Sequence, residues 1–307
     1  MKLATTRTLL LLVIASSISA IDAMAQRNNR EKSDQFWIGF RGGINLTQAT
    51  PEEKFYVFSP TDGNSISNFD KTYDNFSRVG TQVGIIMSYE FIDNISVTLQ
   101  PTYSAYRFDY ATSFSWEDIE NPDSRLDFSY THEQSFSYLE IPLMFRYDFI
   151  LGQSGQRSGN SANSNKKRGI EQGTWVAFAQ AGGYYGRLLR ADKTVTTRGV
   201  DQASGGVNEL DVIEQSEGID DLIIDSNVGV VGGLGIGYTL GNARISFEVN
   251  YKYGLNNITN EANRFTEDRL STGVYDALDN IQLSNVEAFI SFVIPVKYIT
   301  SGRFKAL

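Results

Sequence analysis

The stretch SYLEIPLMFRYDF, residues 137–149, alternates two kinds of side chain. Leu139, Ile141, Leu143, Phe145, Tyr147 and Phe149 fall on one face, while Glu140, Pro142, Arg146 and Asp148 fall on the other. Side chains of a β-strand alternate with period two, so this run reads as a strand with an oily wall and a charged wall. The same scheme recurs downstream. Ile245, Phe247, Val249, Tyr251 and Tyr253 oppose Arg244, Ser246, Glu248, Asn250 and Lys252. Val286, Ala288, Ile290, Phe292, Ile294 and Val296 oppose Glu287, Ser291 and Lys297. Eight candidate strands emerge, at residues 37–46, 79–91, 94–110, 134–149, 174–189, 227–240, 243–255 and 284–298. The fifth does not sort cleanly into faces, because Ala, Gly and Tyr dominate it. No long stretch carries the 3.6-residue apolar repeat of an amphipathic helix, so the chain is all-β.

A water-soluble sandwich would alternate in the same way, and connection lengths discriminate. The links Ile92-Asp93-Asn94 and Gly241-Asn242 are very short, whereas those after the first, third, fifth and seventh strands are far longer. Short turns at one end and long loops at the other are the plan of an outer-membrane barrel. A sheet in hydrocarbon cannot keep open edges, because unpaired backbone N–H and C=O groups there have no water to turn to. The reading is therefore an eight-stranded, antiparallel, up-and-down transmembrane β-barrel over residues 36–300, with both ends of the chain in the periplasm. One link departs from the rhythm: residues 150–172 form a Gly/Ser/Asn-rich segment with Arg157, Lys166, Lys167 and Arg168, read as a flexible basic periplasmic linker. The third long loop is acidic, with Asp192, Asp201, Glu209, Asp211, Glu214, Glu217, Asp220, Asp221 and Asp225. Aromatic clusters near strand ends, Tyr106, Phe108 and Tyr110 or Tyr147 and Phe149, are expected to form interfacial girdles.

Lys2 and Arg7, an apolar run, and Ala23-Met24-Ala25 read as a signal peptide over residues 1–25, cleaved before Gln26. A short periplasmic segment, 26–35, precedes the barrel and a tail, 301–307, follows it. The expected location is the Gram-negative outer membrane. The absence of cysteine excludes a disulfide framework and thiolate chemistry, and a net charge of -9 argues against a nucleic-acid partner.

Three stretches, FWIGFRGGINLT (36–47), ISVTLQPTYSAYRF (95–108) and YLEIPLMFRYDF (138–149), resemble the PorT-type outer-membrane β-barrel family of Bacteroidota. Gly42, Gly43, Asn45 and Leu46, then Ile141, Pro142 and Leu143, carry the likeness. The resemblance implies a porin-like barrel and, for the family's namesake, a part in type IX secretion and the linked gliding apparatus.

Catalytic, cofactor and metal sites are not evident. The only histidine, His132, lies beside Glu133 at the outer start of the fourth strand, where a loop serine could complete a triad; one residue identifies none, and it reads as an exposed loop histidine. The acidic segment 218–225 lacks EF-hand spacing. VGVVGGLGIGY, 228–238, has no following helix to make a phosphate cradle, and its glycines read as close-packing positions in the wall. The remaining candidates are charges on the lumen side, Arg41, Glu90, Glu140, Arg146, Glu248, Lys252, Glu287 and Lys297. An eight-stranded lumen is filled by side chains, so these read as a structural polar network. The expected role is non-enzymatic: a structural or scaffolding component contacting lipid, lipopolysaccharide and other outer-membrane or periplasmic proteins. A narrow small-solute channel is the alternative, requiring a wider lumen, and a barrel enzyme acting on lipid or peptide is the third reading. Finally, Pro142 and the nearby Pro101 predict a local bulge or break between the third and fourth strands.

Overall fold

In the computed structural model the 137–149 stretch sits inside a much longer strand. The structure describes residues 35–55, 71–92, 94–117, 124–153, 173–202, 206–240, 243–265 and 276–296. Eight strands make the barrel: β1 (Gln35–Glu53), β2 (Val79–Ile92), β3 in two pieces (Ile95–Leu99 and Thr102–Glu117), β4 (Arg125–Gln153), β5 (Thr174–Asp201), β6 (Ser226–Leu240), β7 (Ala243–Gly254) and β8 (Asn280–Pro295). Each pairs antiparallel with its neighbours in sequence, and β1 pairs with β8, closing the ring. Residues 150–153, expected to begin the basic linker, instead continue β4, because their backbones pair on with β5; the rest of that linker, the expected signal peptide and the C-terminal tail lie outside the described residues.

The register fixes the barrel's dimensions. From Ile38 the partners run through Met87, Leu99, Leu143, Gly183, Val230, Tyr253 and Ser284 and return to β1 at Gln48, a stagger of ten residues. Ten residues at about 3.3 Å each, set against eight strands about 4.8 Å apart, give a strand tilt near 40° and a backbone diameter of about 16 Å. Side chains from opposite walls therefore meet in the middle.

Faces sort as alternation requires. On β4, Leu139, Ile141, Leu143, Phe145 and Phe149 are exposed, whereas Glu140, Met144 and Arg146 are buried. On β5, Trp175 and Tyr185 point out while Val176, Phe178, Gln180 and Tyr184 point in, which resolves that strand's ambiguous pattern. Phe40, Val83, Leu234 and Ile290 continue the exposed apolar belt around the ring. Such a surface suits lipid contact and would be a severe liability in water.

Above that belt the two faces exchange character. Outward residues of β4 become polar at Ser137, Ser135, Glu133 and Thr131, and inward residues become aromatic at Tyr138 and Phe136. The exchange coincides with a β-bulge: Ser137 pairs with Arg190 but Tyr138 pairs with Leu188, leaving Leu189 as the extra residue. The bulge shifts the phase of β5, so that Ala191 and Val195 turn inward with Leu188. Tyr106, Phe108 and Tyr110 do not form a girdle, contrary to expectation. They point inward and are essentially unexposed, packed with Phe136, Tyr138, Ile219, Leu222, Ile258 and Leu283 in an apolar core above the membrane. Beyond the lipid belt water wets the outside of the strands, so the oily faces must turn in. Much of what reads as long loop is accordingly strand: β3, β4 and β5 run on as a projecting sheet, extended at its flanks by Thr72–Asp74 and by Asn208–Glu209 and Ile213–Gly218.

The proline pair interrupts β3 between Leu99 and Thr102. Gln100 N–H donates to the Pro142 carbonyl (3.0 Å) and Ile85 N–H to the Pro101 carbonyl (2.9 Å), but neither proline has an N–H to return. Adjacent residues of β3 thus each lose a ladder bond, one toward β4 and one toward β2. Register is unchanged across the gap, Leu99 facing Leu143 and Thr102 facing Glu140, so the flaw is a break without a bulge. At the short β2–β3 turn Asn94 adopts φ 69°, a left-handed conformation that asparagine tolerates better than most residues.

Candidate functional site

Two arginines of the lumen rest on aromatic rings. The Arg41 guanidinium lies 3.4 Å from the Phe289 ring centre and that of Arg146 lies 3.5 Å from Phe178. Each ring needs a glycine on the adjoining strand. A Cβ at Gly43 would sit 2.6 Å from Phe289, and one at Gly235 would sit 2.2 Å from Phe178. Two of the glycines scattered through β1 and β6 thus make room for the rings that carry charge into the lumen.

The first of these arginines belongs to a central network. Lys252 Nζ contacts Glu140 Oε2 at 2.6 Å and Glu287 Oε1 at 2.8 Å, tying β7 to β4 and β8. Glu140 also accepts from Ser104 Oγ and Tyr106 Oη, both at 2.6 Å. Gln82 Nε2 donates to Glu287 at 2.6 Å. Arg41 pairs with Glu248 at 2.9 Å, and Gln180 Nε2 bridges Glu248 (3.1 Å) and Asn250 (2.8 Å). Two cations face three carboxylates here. Neutral donors on Ser104, Tyr106, Gln82 and Gln180 supply the remaining hydrogen bonds that buried carboxylates require.

Of the charges singled out in the sequence, Arg41, Glu140, Glu248, Lys252 and Glu287 share this network. Arg146 lies nearer the short-turn end, bonded to Asp148 at 2.7 Å. Glu90 stays out of the network: it sits half-buried at the mouth, where its Oε1 accepts from Asn94 N–H at 3.4 Å. Lys297 lies outside the described residues. The uncharged partners Gln82, Ser104, Tyr106 and Gln180 are not among those candidates, although each occupies an inward position of its strand. Inward phase combined with a hydrogen-bonding side chain is the signal that marks them.

A second buried polar cluster lies outside the membrane belt. His132 is not an exposed loop residue: it is 1% exposed, points inward from β4 and stacks on Tyr110 with ring centres 4.5 Å apart. The strand continues past it, and its inward phase carries it under the loops. Its Nε2 lies 3.0 Å from Thr112 Oγ1 and its Nδ1 lies 3.9 Å from Asp276. Burial and the nearby Lys193 ammonium push the imidazole pKa down to about 3, against the opposing pull of Asp276. Asp276 itself is contacted by Lys193 (2.7 Å), Lys71 (2.5 Å) and the Tyr110 hydroxyl. Burial opposes its charge, but the two lysines prevail and hold its pKa well below the usual carboxylate range. Asp279 accepts from Lys71 (2.9 Å) and Tyr73 (2.7 Å), completing a knot that joins the β7–β8 loop to β3, β4 and β5. A neutral imidazole could serve as a base, yet no serine or cysteine appears among its described contacts. No group of three or more metal-ligating side chains occurs among the described residues.

Residues 24–160 match the family described as outer membrane protein beta-barrel domain. No curated protein matches the chain. Similar solved structures include the outer membrane protein OprG from Pseudomonas aeruginosa, at 14% identity over 86% of this chain and 97% of that one, with a TM-score of 0.38. Ail, the attachment invasion locus protein of Yersinia pestis, is 8% identical over 85% of this chain and 99% of its own, with a TM-score of 0.25. Neisserial surface protein A is 10% identical over 83% and 95%, with a TM-score of 0.23.

Proposed function

We propose that this chain is a non-enzymatic structural component of the Gram-negative outer membrane, exported with cleavage of residues 1–25, that holds a rigid binding surface outside the bilayer. One observation carries the reading: the lumen is spanned by the Lys252–Glu140 contact and capped by the apolar core around Phe108 and Phe136, while β3, β4 and β5 extend past the lipid belt with a polar outer face. A plugged barrel is a poor conduit and a good anchor. Its partners are outer-membrane lipid, lipopolysaccharide and other outer-membrane or periplasmic proteins. The PorT-type resemblance favours a secretion or gliding complex among these.

Affinity capture from detergent-solubilised outer membranes tests the reading. A stoichiometric partner that is lost when residues 206–216 are replaced by a short Gly/Ser linker is the expected result, and recovery of bulk porins alone would overturn it. A narrow channel is the second reading, favoured by the buried and unpartnered amides of Gln100 and Gln134 on inward positions of β3 and β4. Discrete conductance steps in planar bilayers would establish it.

A further inference from the structure

On the outer wall of β3, β4 and β5 the lipid belt ends with Tyr103, Leu139, Tyr185 and the bulged Leu189, all exposed. Exposed tyrosines at the end of an apolar belt mark the level where hydrocarbon meets headgroups. Arg107, Arg187 and Arg190 stand on the same wall at that level, all three exposed. Leu139 faces Tyr103 on one side and Arg187 on the other, Ser137 faces Arg190, and Ser135 faces Arg107. With strands about 4.8 Å apart and about 3.3 Å per residue, the Arg190 backbone is about 7 Å from that of Arg187 and about 12 Å from that of Arg107. The strand tilt of about 40° brings all three to within about 5 Å of one level along the barrel axis. Their partners differ. Arg190 is held by Asp192, Nε to Oδ2 at 2.6 Å and Nη2 to Oδ1 at 2.9 Å. Arg78 takes the nearby acids Asp109, at 3.1 Å, and Glu133, at 3.5 Å. Arg107 and Arg187 have no acceptor among the described residues.

Two unclaimed guanidiniums at the rim of the lipid belt, in a chain of net charge -9, are placed for an anion. A guanidinium is weakly hydrated, and its planar fork matches phosphate oxygens in pairs. The wall lies at the long-loop end of the barrel, so the phosphates at its level belong to the outer leaflet. We infer that it binds the phosphate groups of lipopolysaccharide. Arg107 and Arg187 receive them, Arg190 shares its guanidinium between phosphate and Asp192, and Tyr103 and Leu139 lie against the acyl chains. Asp225, exposed beside Leu188, is the opposing charge. The inference rests on the proposed partnership with lipopolysaccharide and gives that partner a site; it does not depend on any protein bound by the projecting sheet.

The test is a titration of the full chain in detergent micelles with lipid A carrying both phosphates, the bound lipid being counted by native mass spectrometry. Heat-modifiable gel mobility shows that each variant is folded. Removing the phosphates from lipid A is expected to weaken binding about tenfold. Arg107→Gln combined with Arg187→Gln is expected to weaken binding of the phosphorylated lipid about fivefold, two exposed ion pairs being worth about that factor, and to leave the dephosphorylated lipid unaffected. Asp192→Asn, which releases Arg190 to the phosphate, is expected to tighten binding about twofold, a gain that misfolding cannot produce. Arg198→Gln, on the same strand but far above the belt, is expected to change nothing. Retention of no lipid A at all would overturn the site and the lipopolysaccharide partnership together. Retention that ignores the phosphates or the paired arginine variant would overturn the site and leave the partnership standing. An equal loss in Arg198→Gln would reduce the effect to diffuse charge attraction and overturn the site. Displacement by inorganic phosphate at equal concentration, or equal binding of phosphatidylglycerol, would overturn lipopolysaccharide as the source of the phosphate.

Discussion

Lys252 Nζ lies 2.6 Å from Glu140 Oε2, so a residue of β7 is bonded through the lumen to one on β4, three strands away around the ring. Strand pairing alone never brings these two together. The contact is possible because the stagger of ten residues sets both at one level of a barrel about 16 Å across.

Removing the ammonium should therefore be costly. Lys252→Met leaves Glu140 and Glu287 buried without their cation, and breaking a buried pair in this way typically costs about 3–5 kcal/mol. The barrel's unfolding temperature, read by heat-modifiable gel mobility, is expected to fall sharply. Adding Glu140→Gln and Glu287→Gln should recover most of the loss, because the uncompensated charges go with the lysine. A triple variant no better than Lys252→Met would show that packing, rather than charge, dominates.

The Leu189 bulge marks the boundary between two inside-out halves. Inserting one serine between Arg190 and Ala191 should undo the phase that the bulge sets, turning Ala191 and Val195 outward and Asp192 inward. The expected outcome is selective: proteolysis of the β4–β5 projection in folded protein, with the lower barrel still heat-modifiable. Unchanged protease resistance of the projection would refute a phase-setting role.

His132 offers a clean pH probe, being the only histidine in the chain. Its folded pKa of about 3 lies below the ordinary 6.5, so between those values the unfolded chain binds a proton that the folded chain refuses. Stability from the neutral imidazole is complete above pH 6.5 and declines as pH falls toward 3. Asp276, also depressed, adds a loss at the acid end of the same direction. The imidazole NMR signals should stay in the neutral position through about pH 5 in folded protein. A midpoint near 6.5 would show that the outer cluster is open to water.

Pro142→Val supplies a backbone N–H opposite the Gln100 carbonyl, which in the native chain accepts from Thr102 Oγ1 at 2.8 Å instead. One net ladder hydrogen bond is worth about 0.5–1.5 kcal/mol, offset in part by the greater freedom of the unfolded chain. The expected result is that the backbone amide gained at position 142 is protected in hydrogen exchange, and rapid exchange there would mean that the break has another cause.

Alternation along residues 137–149, repeated in β7 and β8, determined by itself the strand type, which residues face the lumen and, with the two shortest turns, a closed ring. These are local properties: a side chain's face follows from its parity and a tight turn from a handful of residues. Parity carries no information about height, which is why Tyr106, Phe108 and Tyr110 read as girdle residues and His132 as a loop residue. Only the tertiary structure decided that the strands outrun the lipid belt and exchange oily and polar faces at Leu189. It also decided which inward charges meet, because partners across a lumen depend on a stagger summed over all eight strand pairs. Glu90 and Glu140 are both inward acids, yet that sum places one at the mouth and the other against Lys252.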